Sequence, residues 1–386
     1  MLRAMPALAE SIAVERESVL HAEPWLWSAS RDLWLFGGSA LGALLIVALG
    51  HAFGFAGGPL PEWAFLVFVL GVDVAHVYAT LFRTYLDPAE LRARPMRYVL
   101  TPLAAYVVGV AAFSFGAMVF WRGLAYFALF HFVRQEIGWL RVQRAKSSSR
   151  GSRFDARLDE LALYVSALYP LWLWHTALAE RRFSWFVVGD FFALPESLAW
   201  LTSFVRLGFG LVLAAFVLRQ LWLYVARRLV RPLPCLIVGK TALIWYVGIV
   251  LCNSDFDFTV TNVLAHGVPY LGLLWVYARE RAQEPPRAIA TRVARAGRVP
   301  FFALLLTFAA FEEGLWDRLV NHDHPWLFGV GPELSSGLLR FLVPLLAVPQ
   351  LSHYLLDARL WRAEDTQRLP AQQRALGFSP TKEIHS

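Results

Sequence analysis

The chain has 386 residues, 57% of them hydrophobic and only 17% charged, too few polar groups to cover a water-soluble protein of this length. Its only cysteines, Cys235 and Cys252, lie in apolar runs, which excludes a disulfide framework and any zinc or iron–sulfur site built on several thiolates. The formal net charge of +7 is spread over loops between apolar runs, so it reads as membrane topology and implies no nucleic-acid partner.

Residues 1–32 mix Glu, Arg and Pro without a continuous apolar core, so they read as a cytoplasmic or interfacial segment and not as a secretory signal. Ten apolar segments follow, each near the ~20 residues that a membrane-spanning helix needs. They lie near 33–54, 63–83, 98–120, 123–141, 158–178, 200–226, 234–252, 258–278, 299–318 and 336–360. Residues 33–361 are therefore predicted to form an all-α, polytopic integral membrane bundle of about ten transmembrane helices. The fourth segment is the most polar, because it holds His131, Arg134, Gln135 and Glu136. Residues 362–386 read as a C-terminal tail.

Loop charge sets the expected orientation. The connections after even-numbered segments are basic: Arg92, Arg94 and Arg97; then Arg141, Arg144, Lys146, Arg150, Arg153 and Arg157; then Arg227, Arg228 and Arg231; then Arg279 to Arg298. The tail adds Arg359, Arg362, Arg368, Arg374 and Lys382, whereas the odd-numbered connections carry little beyond Arg122, Arg181, Arg182 and Arg318. Arginine and lysine stay on the cytoplasmic side because translocating them is unfavourable, so both termini are expected in the cytoplasm and the membrane is expected to be the plasma (inner) membrane. Ser147 to Ser152 reads as a linker, and Pro285 to Arg298 as a short amphipathic helix lying at the inner surface.

Ionisable groups within membrane segments are costly and mark function. Segment 2 places Asp73 and His76 one turn apart, with Thr80 on the next turn. Segment 4 places His131, Arg134 and Gln135 on one face, with Glu136 beside it; segment 8 places Asn262 and His266 at i, i+4; segment 10 places Gln350, His353 and Asp357 together. All four segments run towards a basic end. His76 and His353 stand seven and six residues before Arg83 and Arg359, about 10 Å from those ends, while His131 is ten residues before Arg141 and His266 thirteen before Arg279. The four histidines can therefore share one layer, as a metal site between bundle helices requires. His76, His131, His266 and His353, with Asp73 and Asp357, are the candidate ligands; Gln135, Asn262 and Gln350 are candidates for fixing the imidazoles from behind. Glu136 and Arg134 are the candidate catalytic groups, Arg134 as the holder of a substrate headgroup. Gly267 and Pro269 add an expected weak point in segment 8.

Imidazole and carboxylate donors suit iron or zinc, with other divalent metals open. The leading expectation is a membrane-embedded, metal-dependent oxidoreductase, with iron acting on a lipid or isoprenoid that partitions into the bilayer. The alternative is a proton- or metal-ion-coupled transporter using the same polar layer; a bis-histidine haem protein ranks last, because the neighbouring carboxylates suit non-haem metal better. Isolated histidines in several spans, here His76, His131, His266 and His353, resemble the polytopic multi-histidine membrane oxygenases of the Brp/Blh type, bacterial β-carotene cleavage enzymes. That resemblance implies non-haem iron and a hydrophobic substrate. The dense His-x-x-His-His boxes of membrane desaturases are absent.

Overall fold

The apolar runs fold as helices, which satisfy every backbone polar group within one segment. The computed structural model describes residues 20–147, 152–176, 184–252, 254–283, 288–361 and 370–378. In chain order the main helices are α1 (Ala29–Phe53), α2 (Glu62–Arg83), α3 (Pro88–Ala93), α4 (Pro95–Ser114) and α5 (Ala117–Lys146). They continue with α6 (Arg153–Thr176), α7 (Leu201–Arg227), α8 (Pro232–Leu251), α9 (Asp255–Arg281) and α10 (Ile289–Ala296). The last three are α11 (Arg298–Asn321), α12 (Ser336–Leu360) and α13 (Pro370–Ala375). Strand β1 (His21–Ala22) pairs in parallel with β2 (Leu229–Val230), joining the N-terminal segment to the connection after α7.

Seven of these helices, α1, α2, α4, α7, α8, α11 and α12, are long and apolar enough to cross a membrane. The expected segments at 123–141, 158–178 and 258–278 also form long helices, α5, α6 and α9, of 30, 24 and 27 residues. Polar side chains interrupt their apolar runs: His131 to Glu136 in α5, Asp155, Asp159 and Glu160 in α6, and Thr261, Asn262 and His266 in α9. Length and composition therefore mark seven helices and not ten.

One boundary differs from the sequence reading. The turn between the third and fourth segments falls at Phe115–Gly116, not near residue 121. Gly116 has φ +141°, a backbone that only glycine adopts easily, but the apolar run continues straight through it and hides the stop. Segment 8 also differs: α9 runs unbroken through Gly267 and Pro269. The expected linker at 147–152 lies almost wholly outside the described residues. The expected amphipathic helix is present as α10, burying Ala290, Thr291 and Ala294 and exposing Arg292.

Burial separates a centre from a periphery. In α9, Phe256, Val260, Leu274 and Tyr277 are fully enclosed, and the helix packs against α1, α2, α8, α10 and α13. By contrast α7 buries only Phe216 and Leu223 while Leu207, Leu211, Leu218 and Val225 stand exposed. Contiguous exposed apolar surface of this kind marks a lipid-facing helix.

Polar ties gather the arginine-rich helix ends. Asp87, just after α2, accepts from Arg281 at the end of α9 (2.8 Å) and from Tyr277 (2.8 Å). Arg83 pairs with Glu90 (3.0 Å) and donates to Gln372 (2.6 Å), which in turn donates to the Leu360 carbonyl at the end of α12 (2.8 Å). Lys146, at the end of α5, donates to the Leu26 carbonyl, and the Trp27 indole donates to the Ala375 carbonyl (2.7 Å). The four histidine-bearing helices thus point their C-termini at one place.

Asp159 of α6 joins two arginines: it accepts from Arg231 at 2.6 and 3.1 Å and from Arg144 at 3.0 Å, with no solvent exposure. Removing it leaves the buried Arg231 with only Glu23. Asp159→Ala is expected to lower stability by about 3–5 kcal/mol, read as a drop in the thermal unfolding midpoint in detergent. An unchanged midpoint would show that the arginines find other partners at no cost.

Candidate metal centre

His76 of α2, His131 of α5, His266 of α9 and His353 of α12 meet inside the bundle, all buried. Each offers a ring nitrogen, and these four atoms lie within 4.8 Å of one another. The rings form a closed quadrilateral, with centroid separations of 5.0 Å for His76–His266, 5.1 Å for His266–His131, 4.7 Å for His131–His353 and 5.0 Å for His353–His76. The Nε2 atoms of His76, His131 and His353 and both ring nitrogens of His266 are buried with no hydrogen-bond partner. A buried polar atom left unsatisfied costs about 1–3 kcal/mol. A single cation would satisfy four such lone pairs at once. With metal–nitrogen distances of about 2.0–2.1 Å, tetrahedral donors stand about 3.4 Å apart, so a pair at the 4.8 Å limit closes by roughly 1.4 Å, shared between two side chains. The four buried histidines are close enough to bind a metal.

The surroundings hold the rings in a donor orientation. His76 Nδ1 lies 3.3 Å from the Val72 carbonyl, which only a protonated Nδ1 can use, leaving Nε2 with its lone pair. His353 Nδ1 is 2.7 Å from Thr80 Oγ1, and Thr80 Oγ1 is 3.1 Å from the Tyr270 hydroxyl. Tyr270 in turn faces the Asp357 carboxyl group. Nδ1 of His353 is engaged by Thr80, and its Nε2 is the buried ring nitrogen without a partner. His266 stacks on Phe132 at 3.7 Å, and His131 on Tyr354 at 4.5 Å. Gln135 Nε2 donates to the His266 carbonyl (3.0 Å), tying α5 to α9 at the level of the rings.

Gly267 has a different role from the one its sequence position suggested. A Cβ there would stand 2.6 Å from Val72 Cγ1 and 3.7 Å from His76 Nδ1. The glycine lets α9 approach α2 closely enough for His266 and His76 to face one another.

The remaining sequence-derived candidates are placed around the four histidines, not among the grouped ligand atoms. Asp73 Oδ1 is 3.8 Å from His76 Nδ1. Asp357 accepts from the Trp361 indole (2.9 Å) and reaches His353 only through Tyr270 and Thr80. Glu136 forms a buried ion pair with Lys240 of α8 (2.7 Å), and Lys240 also donates to the Ala265 carbonyl (2.9 Å). Lys240, which from its sequence position alone would extend towards the inner surface, is thus enclosed beside the site. Arg134 donates to the Tyr164 hydroxyl (3.3 Å). Asn262 donates within α9, to the Phe258 carbonyl (3.3 Å), and Gln350 to the Tyr354 hydroxyl (2.8 Å), so neither meets an imidazole. Tyr270 and Tyr354 are the contributors that the sequence reading passed over. A signal for one of them existed: each histidine is followed four residues later by a polar side chain, Thr80, Gln135, Tyr270 and Asp357.

A cavity of about 680 Å³ adjoins the site and extends from His131, Tyr270 and Tyr354 to Arg141, Arg359 and Trp361 at the arginine-rich end. A second, small cavity of about 10 Å³ lies between His266, Glu136, Lys240 and Asn262. No family model, curated protein or solved structure matches the chain.

Gly267→Ala is expected to push α9 from α2 and to abolish stoichiometric metal binding in protein that still folds. Adding Val72→Ala should restore part of it, and metal retained by the single variant would refute the close-approach argument. Thr80→Val keeps the shape but cuts the chain from His353 to Asp357. Its metal affinity is expected to fall about 10–100-fold in chelator competition, and an unaltered affinity would mean that packing alone orients His353.

Proposed function

We infer that this chain is a membrane-embedded, metal-dependent oxidoreductase whose His76, His131, His266 and His353 hold non-haem iron and whose substrate is a lipid or isoprenoid. The observation that carries this reading is the convergence of four buried imidazoles, each with an unpartnered ring nitrogen, at the edge of a largely apolar cavity. Bound iron would supply the one-electron and dioxygen chemistry that side chains cannot perform. The protein's own part is positioning. Phe127, Phe130 and Leu273 give the cavity apolar walls, and His131 presents the histidine cluster to it. Glu136, buried against Lys240 beside His266, can hold a proton near the site. On this reading α5, α6 and α9 also cross the bilayer, the basic loops face the cytoplasm, and the membrane is the plasma membrane. The histidine pattern is similar to that of the Brp/Blh type of β-carotene cleavage enzymes, and an enzyme of that chemical class is the reading it favours.

Haem fits less well. Two opposed imidazoles could bracket a haem iron, but the other two occupy the space its macrocycle would need. Transport is the second reading, favoured by Glu312 and Asp317 of α11, which are buried with one unpartnered oxygen each. Against it, the large cavity leads from the histidines to the arginine-rich end.

Metal analysis of detergent-purified protein separates these readings. About one iron per chain without a Soret band, lost in His131→Gln and His353→Gln, is the expected result. A Soret band would select haem, and absence of any metal from folded protein would overturn the oxidoreductase reading.

A further inference from the structure

The large cavity is not uniformly apolar. Beyond its aromatic and aliphatic walls it carries three arginines, Arg134, Arg141 and Arg359. Several of the chain's buried or partly buried arginines pair with carboxylates: Arg83 with Glu90, Arg219 with Asp155, Arg231 with Asp159, Arg281 with Asp87 and Arg374 with Glu280. In the cavity only Arg141 is matched, to Glu160 at 3.0 Å. Arg134 touches the Tyr164 hydroxyl and faces the Phe130 ring at 5.9 Å, with no carboxylate partner among the described residues. Arg359 likewise has none among the described residues. The one carboxylate lining the cavity, Asp357, is engaged by Trp361 and Tyr270. A guanidinium beside an apolar cavity without a counter-charge suits an anion, because its planar donors match a carboxylate or phosphate in pairs.

We propose that this cavity binds an amphiphile with one anionic end, seated by Arg134 and Arg359, whose apolar chain runs past Tyr270 and Tyr354 to His131. The cavity volume of about 680 Å³ falls within the range of small-molecule sites, about 300–1,000 Å³. Arg134 lies three residues beyond His131 and Arg359 six beyond His353, a rise of about 4.5 and 9 Å. The part of the chain facing the histidines is then several bonds from the charged end. A neutral hydrocarbon of the same bulk would offer neither guanidinium group a counter-charge. The proposal rests on the oxidoreductase reading for what happens to the chain at His131; the anion preference itself does not need the metal.

The test uses a matched pair of probes, 9,10-dibromostearic acid and the corresponding dibromo-octadecanol, added to the full chain in a non-ionic detergent. Bromine quenches tryptophan, and Trp139 and Trp361 line the cavity. The acid is expected to quench saturably and to bind at least about tenfold tighter than the alcohol, the size expected of a charge-assisted contact. Arg134→Met and Arg359→Met should each weaken the acid about tenfold and leave the alcohol unchanged, while Arg134→Lys, which retains the charge, should keep most of the preference. Stearyl phosphate in a third arm tells which anionic headgroup fits better. Equal affinity for acid and alcohol in the unmodified protein overturns the proposal, as do arginine variants that shift both probes alike. The two readings fail separately. Acid preference in protein that binds no metal leaves this proposal standing and sinks the oxidoreductase; stoichiometric iron with no acid preference does the reverse.

Discussion

Four buried imidazole lone pairs with no hydrogen-bond partner are the constraint from which the rest of this structure follows. In a bundle interior a polar atom left without a partner costs about 1–3 kcal/mol. The fold does not relieve this cost by turning the rings outward. It does the opposite: the Val72 carbonyl, the chain through Thr80 and Tyr270 to Asp357, and the stacking surfaces of Phe132 and Tyr354 all hold the rings in place. Such restraint is sensible only if the lone pairs meet something that outweighs their desolvation. A metal ion is the ligand whose binding does so through four neutral nitrogens at one point.

Holding four helices to within a few tenths of an ångström requires stiffness away from the site as well as in it. That stiffness comes from the arginine-rich end, where Asp87, Glu90, Gln372 and the carbonyls of Leu360 and Ala375 tie together α2, α9, α12 and the N-terminal segment. Because these ties lie several turns from the histidines, they set the directions of the helices without competing for the ring nitrogens. Gly267 then sets the separation of α2 and α9 at the level of the rings. Ion pairs and hydrogen bonds at the helix ends fix direction, and one missing side chain fixes distance.

The histidine set was legible in the sequence because depth and periodicity are local properties. Counting residues from His76, His131, His266 and His353 to the next arginine placed them in one layer, and they share one. What the sequence concealed was everything decided between helices. Asp357 looks like a direct neighbour of His353 when read along one helix, but its link runs through α9 and α2, which no intrahelical spacing reports. Lys240 reads as a membrane-surface residue until Glu136 of another helix is seen to bury it. The stop at Gly116 was invisible because hydropathy does not change there; only a backbone dihedral does. Gly267 suggested a loosened helix because glycine and proline stand close together, whereas the physical requirement was space for Val72.

Charge balance explains why the carboxylates stand back from the ring nitrogens. Four neutral imidazoles leave a divalent ion with its full charge, in surroundings where an uncompensated charge is expensive. Asp73 lies 3.8 Å from His76 Nδ1, and Asp357 is coupled to His353 by three hydrogen bonds. A bound cation would favour the charged forms of both carboxyl groups, and at one remove they would offset its charge without occupying coordination positions. A carboxylate moved into contact would offset the charge more strongly but would fill one of those positions. Placed where they are, Asp73 and Asp357 leave the cavity-facing side of the histidine cluster, at His131, open.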